Sequence, residues 1–176
     1  MEYNVVGLDL GKTWGWAVIE DQTPDPPVIR FGEETAGNDA LTNASAGMIY
    51  HSYRAWLLEF LDKEGPAVLC YESVRFTRGV SYIEGQKGIL LAELEQREIP
   101  YFGLPIGTLK KWGAGHGRAA KEQVVQAVQD RWQDDEGADP TQQGFLQGKP
   151  WDQRWKLTDN MADALWCAHR AWVTWG

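Results

Sequence analysis

Three acidic side chains stand where the sequence predicts the end of a strand or the start of a helix. Asp9 lies in an apolar run between Leu8 and Leu10, Glu72 directly follows a second apolar run, and Asp163 lies near the start of the last predicted helix. A buried carboxylate is costly unless it is paired or binds a metal ion, and hard cations such as Mg²⁺ prefer oxygen ligands. The three acids therefore predict a magnesium site.

A carboxylate cluster of this kind suits phosphodiester hydrolysis. Two ions roughly 4 Å apart can activate a water molecule and stabilise the leaving oxygen. Asp159 and Asn160 share a helix face with Asp163 by i, i+4 and i, i+3 spacing, which adds oxygen ligands at the same place. Each acid taken alone also has an ordinary alternative role, such as capping a helix, pairing with a lysine or accepting hydrogen bonds from a turn.

A glycine-rich run at 113–121 lies between basic side chains. Its backbone amides and cations could hold a phosphate at the start of the next predicted helix, although a plain surface loop is the alternative. His116, flanked by glycines, is expected to face solvent or phosphate. The cations of this region are Lys110, Lys111, Arg118 and Lys121.

The charge of the chain is unevenly distributed. The 176 residues carry a formal net charge of −8, which by itself argues against a nucleic-acid partner. Residues 75–121, however, hold 8 basic and 4 acidic side chains. A local basic stretch is compatible with one face that meets phosphates while the acidic remainder repels them.

The hydrophobic periodicity predicts how these residues are positioned. Three strands, a helix, a strand, a helix, a strand and two helices follow each other in a single domain, residues 1–176. This order predicts an α/β fold with a five-stranded mixed sheet, three antiparallel strands followed by two parallel ones, flanked by helices. The predicted strands are 4–10, 14–20, 28–35, 67–71 and 101–104, and the predicted helices are 40–64, 81–98, 118–132 and 159–173.

Composition excludes several classes of protein. No apolar run approaches the roughly 18 residues of a membrane span, so no membrane partner is expected. The two cysteines, Cys70 and Cys167, lie in apolar runs and are expected to be buried free thiols in a reducing, cytoplasmic setting. Neither they nor any serine lies in a pattern typical of acyl-transfer or thiol-protease chemistry.

Four segments of the chain contain recognisable motifs: residues 7–11 followed by Gly15, 71–74, 113–122 and 160–165. Together they resemble the RuvC-type Holliday-junction resolvases of the ribonuclease H-like superfamily, and their phage branch in particular. A helix at 82–94 adds to this resemblance, which covers nearly the whole chain. The glycine-containing hairpin of residues 7–13 also resembles the first phosphate loop of actin-like ATPases, but 176 residues are too few for the two domains that those enzymes need.

The resemblance implies a homodimer that binds a four-way DNA junction and nicks two opposed strands with Mg²⁺, or with Mn²⁺ as a substitute. It implies that Asp9, Glu72 and Asp163 are metal ligands. The fourth ligand of the family, an acid or histidine, falls on Asn160, whose neutral oxygen is a weaker ligand. Asp159, one residue earlier, is therefore an alternative fourth ligand and a candidate catalytic residue.

The resemblance also implies DNA contacts. Lys110 or Lys111, and Lys121, match lysines that neutralise the scissile phosphate or contact DNA, which makes Lys121 a candidate catalytic residue. Arg75 stands where the family has an aromatic that probes the junction, and Phe76 follows it. The full set of candidate DNA-binding residues is Lys12, Arg75, Phe76, Arg78, Lys87, Lys110, Lys111, His116, Arg118 and Lys121.

Two other functions remain open at the level of sequence. The chain could be a related ribonuclease H-like nuclease that acts on RNA or RNA–DNA hybrids. It could also bind branched DNA without cutting it, since Asn160 occupies a ligand position.

Overall fold

Five strands form one mixed sheet in the order β3-β2-β1-β4-β5 in the computed structural model, which describes residues 3–21, 28–35, 46–74, 81–133 and 157–175. The first three strands pair antiparallel, and β4 and β5 run parallel to β1, as predicted. The strands are β1 (Tyr3–Asp9), β2 (Thr13–Asp21), β3 (Val28–Thr35), β4 (Pro66–Ser73) and β5 (Tyr101–Pro105).

Helices cover both faces of this sheet. None of the helices among the described residues combines the length and the apolar character that spanning a membrane requires. The helices are α1 (Ala46–Glu64), α2 (Ser81–Gln96), α3 (Ile106–Ala114), α4 (Lys121–Gln133) and α5 (Asp159–Trp175).

Two apolar cores lie on opposite faces of the sheet, because successive strand side chains point to opposite sides. Val5, Val68 and Cys70 pack against α3, α4 and α5 in what we call the α5-side core. Leu8 and Leu69 pack against α1 and α2 in the α1-side core. The sheet is therefore the middle layer of three, and α5 lies directly over its central strands.

The boundaries of several elements differ from the sequence prediction. Helix α3 was not predicted, since two of its nine residues are glycines and glycine lowers helix propensity. It begins after Pro105, whose fixed φ suits a helix start, and it is stabilised by Leu109, which is fully buried. Helix α4 begins at Lys121 rather than at residue 118, and the predicted start of α1 at residue 40 lies outside the described residues.

Candidate metal centre

The parallel pairing of β1 with β4 places two of the predicted acids side by side. Leu8 is the register partner of Tyr71, so the next residues along the two strands, Asp9 and Glu72, are neighbours. Leu8 and Tyr71 both belong to the α1-side core. Alternation then turns Asp9 and Glu72 to the opposite face, toward α5.

Helix α5 lies unusually close to the sheet at two glycines. A Cβ atom built on Gly7 would lie 2.0 Å from the carbonyl oxygen of Ala164, and one built on Gly15 would lie 2.0 Å from that of Asn160. Only glycine permits this approach, because any other side chain would collide with the helix backbone. The close approach brings Asp163, between these contacts, down to the ends of β1 and β4.

The start of α5 is attached to the sheet by Thr158. The Thr158 hydroxyl accepts a hydrogen bond of 3.2 Å from the backbone N–H of Met161, which makes Thr158 the N-cap of the helix. The same hydroxyl donates to Glu33 Oε2 on β3 at 2.7 Å. The first turn of α5, which carries Asp159 and Asn160, is thereby held at a defined place above the sheet.

Asp9, Glu72 and Asp163 form one cluster, as the sequence predicted. One carboxylate oxygen from each lies within 4.8 Å of the others. Asp9 is 8% and Glu72 5% exposed. Asp163 Oδ1 is buried and has no hydrogen-bond partner among the described residues. Three convergent carboxylates with an unpartnered oxygen match the ligand type that hard divalent cations require.

The electrostatics of the cluster favour an added positive charge. Burial raises the pKa of Asp9 well above its ordinary value, and the nearby charges of Glu72 and Asp163 raise it further. Burial also raises the pKa of Glu72, although a hydrogen bond from Asp9 and the charge of Lys110 act in the opposite direction. Burial and the charge of Glu72 raise the pKa of Asp163 to about 7. A cation in the cluster would relieve this repulsion.

Two lysines predicted from the resemblance lie beside the cluster. Lys110 on α3 donates a hydrogen bond of 2.8 Å to the carbonyl oxygen of Ala119, which fixes its half-buried side chain. Lys121, the first residue of α4, forms an ion pair with Asp159 Oδ2. That pairing raises the pKa of Lys121, so the side chain stays cationic. Asp159 is thus near the cluster but is held by a lysine.

The remaining candidate DNA contacts are spread over several parts of the chain. Lys12 is exposed in the turn between β1 and β2, directly after the strand that carries Asp9, and Lys87 lies 3.8 Å from Glu84 on α2. Exposed side chains around the end of α3 and the loop after it are Lys111, His116 and Arg118. Three further candidates, Arg75, Phe76 and Arg78, lie outside the described residues.

The glycine-rich run at 113–121 is only partly a loop. Gly113 ends a turn of α3 and lies against the indole of Trp166, where a Cβ atom would approach within 2.6 Å of the ring. Gly115 is the C-cap residue of α3 with φ of 83°, a conformation that favours glycine. These two glycines therefore serve helix packing and helix termination. The loop between α3 and α4 comprises residues 115–120 and is exposed except at Ala119, which is buried in the α5-side core.

The sequence places a glutamine on the apolar face of the second predicted helix but does not predict a role for it. Gln86 on α2 is fully buried, and its Nε2 donates a hydrogen bond of 2.8 Å to the carbonyl oxygen of Gly11. Gly11 follows Asp9 by two residues, so this bond ties α2 to the turn that ends beside the cluster. The signal in the sequence was a polar residue on the otherwise apolar face shared by Ile83, Leu90 and Leu94.

Comparison with known proteins finds similarity at the level of structure. No sequence profile of a known family and no curated protein matches the chain. RuvC of Thermus thermophilus is similar with a TM-score of 0.67 and 22% identity, over 98% of this chain and 96% of that one. A yeast mitochondrial Holliday junction resolvase gives 0.57 and 16%, over 93% and 75%.

A fowlpox virus resolvase, solved with Holliday junction DNA, gives a TM-score of 0.55 and 9% identity over 96% of this chain and 98% of that one. These similarities and the observed sheet confirm the predicted fold class. The chain has the ribonuclease H-like fold of RuvC and is similar in structure to Holliday junction resolvases, as the resemblance of its motifs implied.

Proposed function

We propose that the chain is a metal-dependent endonuclease that resolves four-way and other branched DNA junctions by phosphodiester hydrolysis. The observation that carries this proposal is the cluster of Asp9, Glu72 and Asp163, assembled from two strand ends and one helix with their oxygens within 4.8 Å. The resolvase structures that the chain resembles in fold add support.

The residues of the cluster fit Mg²⁺, with Mn²⁺ as a substitute. Asp9, Glu72 and Asp163 would hold the ion, and Asn160 or Asp159 stands where a fourth oxygen ligand is needed. The unpartnered Asp163 Oδ1 is an atom that such an ion would satisfy. When bound, the metal would supply Lewis-acid activation of a water molecule and stabilisation of the leaving oxygen.

Basic residues of the chain would bind and orient the phosphates. Lys110 and Lys121 are close enough for their charges to act on Glu72 and Asp163, so a phosphate beside the cluster would meet both cations. They would offset the negative charge that develops on the scissile group. Lys12, in the turn after β1, and Lys111 and Arg118, next in the chain to Lys110 and Ala119, are exposed and would contact neighbouring phosphates.

We propose a homodimer because cleavage of two strands needs two centres. The structure shows one carboxylate cluster that could hold a metal ion within the described part of the chain. Nicks in two opposed strands of a junction need two such centres, which two copies of the chain would supply. Cys70 and Cys167 are buried free thiols, which suits the cytoplasmic setting that we propose.

A cleavage assay tests the proposed function. Wild-type protein with Mg²⁺ should nick a labelled four-way junction in two opposed strands. The variant Asp9→Asn should be inactive, and Asp130→Asn, the same change at an exposed site on α4, should be active. Activity that Asp9→Asn retains would contradict the proposal. Preferred cleavage of RNA or RNA–DNA hybrids would indicate the related nuclease, and junction binding without turnover would indicate a non-cleaving module.

A further inference from the structure

Asp159 stands at the metal-side end of α5, but the structure gives its carboxylate a different partner. It is not among the three side chains whose oxygens converge within 4.8 Å. Its Oδ2 is instead ion-paired with the ammonium group of Lys121. The pair joins the first residue of α4 to the first residue of α5.

The stability of the fold does not explain this pair. The Lys121 side chain is 72% exposed, and the Asp159 side chain is 33% exposed. Ion pairs between exposed side chains contribute little to folding, because water and salt screen them and because a long side chain loses rotamer freedom. What the pair does accomplish is to restrict a flexible, exposed lysine to one place.

That place is next to the acidic cluster. The charge of Lys121 interacts with the carboxylates of Glu72 and Asp163, and also with that of Asp9. The backbone that carries Asp159 is held, because the Thr158 N-cap and its bond to Glu33 anchor the first turn of α5. An anchored helix start therefore presents the carboxylate that pairs with Lys121 beside the three carboxylates of the proposed metal centre.

We propose that Asp159 is a positioning residue that holds the ammonium group of Lys121 beside the cluster, and that it is not a metal ligand. This inference rests on the proposed function, since it assigns the placed cation to the phosphate that the cluster would cleave. The fourth oxygen ligand would then be Asn160, whose neutral side chain forms no ion pair that metal binding would break. Pre-positioned cations act on the reaction because no reorganisation is needed when the phosphate arrives.

Magnesium binding without DNA separates a ligand from a positioning residue. Isothermal titration calorimetry with Mg²⁺ would compare wild type with Asp159→Asn, Asp163→Asn and the exposed control Asp130→Asn. Asp159→Asn should keep an affinity within about twofold of wild type, as Asp130→Asn does, whereas Asp163→Asn should lose binding. An affinity loss of about tenfold or more in Asp159→Asn would identify Asp159 as a ligand and overturn the inference.

Single-turnover cleavage then tests whether Asp159 acts through Lys121. With saturating protein on a four-way junction, Asp159→Asn should slow cleavage by about tenfold, and Lys121→Gln by at least as much. The double variant should be no slower than Lys121→Gln alone, and Asp159→Glu should recover part of the rate. Multiplying effects in the double variant would contradict the inference, because independent residues add in free energy.

The two measurements distinguish the inference from the function on which it rests. A wild-type chain that binds no Mg²⁺ would overturn the proposed function and the inference together. A chain that binds Mg²⁺ but cuts no junction would overturn the proposed activity, while the calorimetric comparison would still decide whether Asp159 is a ligand.

Discussion

A carboxyl group whose pKa is raised on folding binds its proton more tightly in the folded chain than in the unfolded chain. The structure places such a group in Asp163, whose pKa is raised to about 7 by burial and by Glu72. The free energy by which Asp163 destabilises the fold is therefore smallest at acid pH. It grows as pH rises and reaches its full value above the folded pKa. The residues that serve the proposed chemistry thus weaken the metal-free fold at neutral pH.

The variant Asp163→Asn should be more stable than wild type when no metal is present. At pH 8 in EDTA we expect a melting temperature raised by about 5 °C, because the charged form is no longer forced into the cluster. The gain should shrink at pH 5.5, where the folded wild type keeps its proton. Differential scanning calorimetry at the two pH values measures both effects.

Added Mg²⁺ should reverse the order of the two proteins. It should raise the melting temperature of wild type and leave Asp163→Asn unchanged, since only a chain that binds the ion gains stability from it. The idea of a carboxylate metal site fails if Mg²⁺ shifts both proteins equally or if Asp163→Asn is less stable at both pH values.

Glu64, which lies outside the proposed metal centre, has a pKa that is lowered rather than raised by its surroundings. Its side chain is 3% exposed, and Arg30 donates to it while also donating to Glu20 at 2.7 Å. Burial by itself would raise the pKa of Glu64, but the hydrogen bonds and charge of Arg30 outweigh it and lower the pKa. A lowered pKa contributes stability above the unfolded value, and this contribution is lost as pH falls through the folded value.

Replacement of Glu64 should therefore destabilise the chain in a pH-dependent way. Glu64→Gln is expected to lower the free energy of unfolding by about 2 kcal/mol at pH 7, because Arg30 loses a buried ionic partner. The loss should shrink as pH falls below 4.5, the ordinary pKa of a glutamate, through the lower folded pKa at which the wild-type carboxylate also takes up a proton. Urea denaturation at both pH values tests this, with exposed Glu59→Gln on the same helix as the control. An equal loss at both pH values would exclude the ionic explanation.

The position of α5 on the sheet determines whether the three carboxylates of the cluster lie close together. Asp9 and Glu72 come together through strand pairing alone, but Asp163 reaches them because the backbone of α5 lies against Gly7 and Gly15. The first turn is fixed separately through Thr158. A small displacement of this one helix would open the cluster without unfolding any element.

Two glycine-to-alanine substitutions should have opposite effects. Gly7→Ala places a Cβ atom 2.0 Å from the Ala164 oxygen, so α5 must shift. We expect a loss of about 3 kcal/mol or more in unfolding free energy and a loss of Mg²⁺ stabilisation. Gly88→Ala adds a Cβ atom to α2 with nothing within 4 Å and should stabilise the chain by about 0.5 to 1 kcal/mol. Denaturant melts with and without Mg²⁺ measure both; a tolerated Gly7→Ala would contradict the close-packing argument.

The chain has a formal net charge of −8, and yet we propose that it binds DNA. The acidic cluster lies at the ends of β1 and β4, and the exposed cations Lys12, Lys111 and Arg118 are close in the chain to Asp9, Lys110 and Lys121. An overall negative charge keeps other faces away from the phosphates and leaves this end for binding. Few phosphate contacts are therefore expected.

The salt dependence of junction binding should reflect the small number of phosphate contacts. With Ca²⁺ in place of Mg²⁺, the slope of log K against log salt should correspond to a few phosphates, about −0.9 for each. Arg118→Gln and Lys111→Gln should each make the slope shallower by up to about one unit. Lys63→Gln, an exposed cation on α1, should leave it unchanged. A slope that is equal in all variants would remove these two residues from the DNA-binding face.

Sequence patterns alone predict the five strands, their order of antiparallel and parallel pairing, and the three acids of the cluster. These follow from local properties, since β-rich runs, glycine turns and a carboxylate at the end of an apolar run are visible within a few residues. Contacts between residues that are far apart in the chain become visible only in the folded structure. These contacts are the ion pair of Lys121 with Asp159, the hydrogen bond from Gln86 to Gly11, and the packing of α5 against Gly7 and Gly15. These contacts depend on how elements pack, and no local pattern of residues encodes that packing distance.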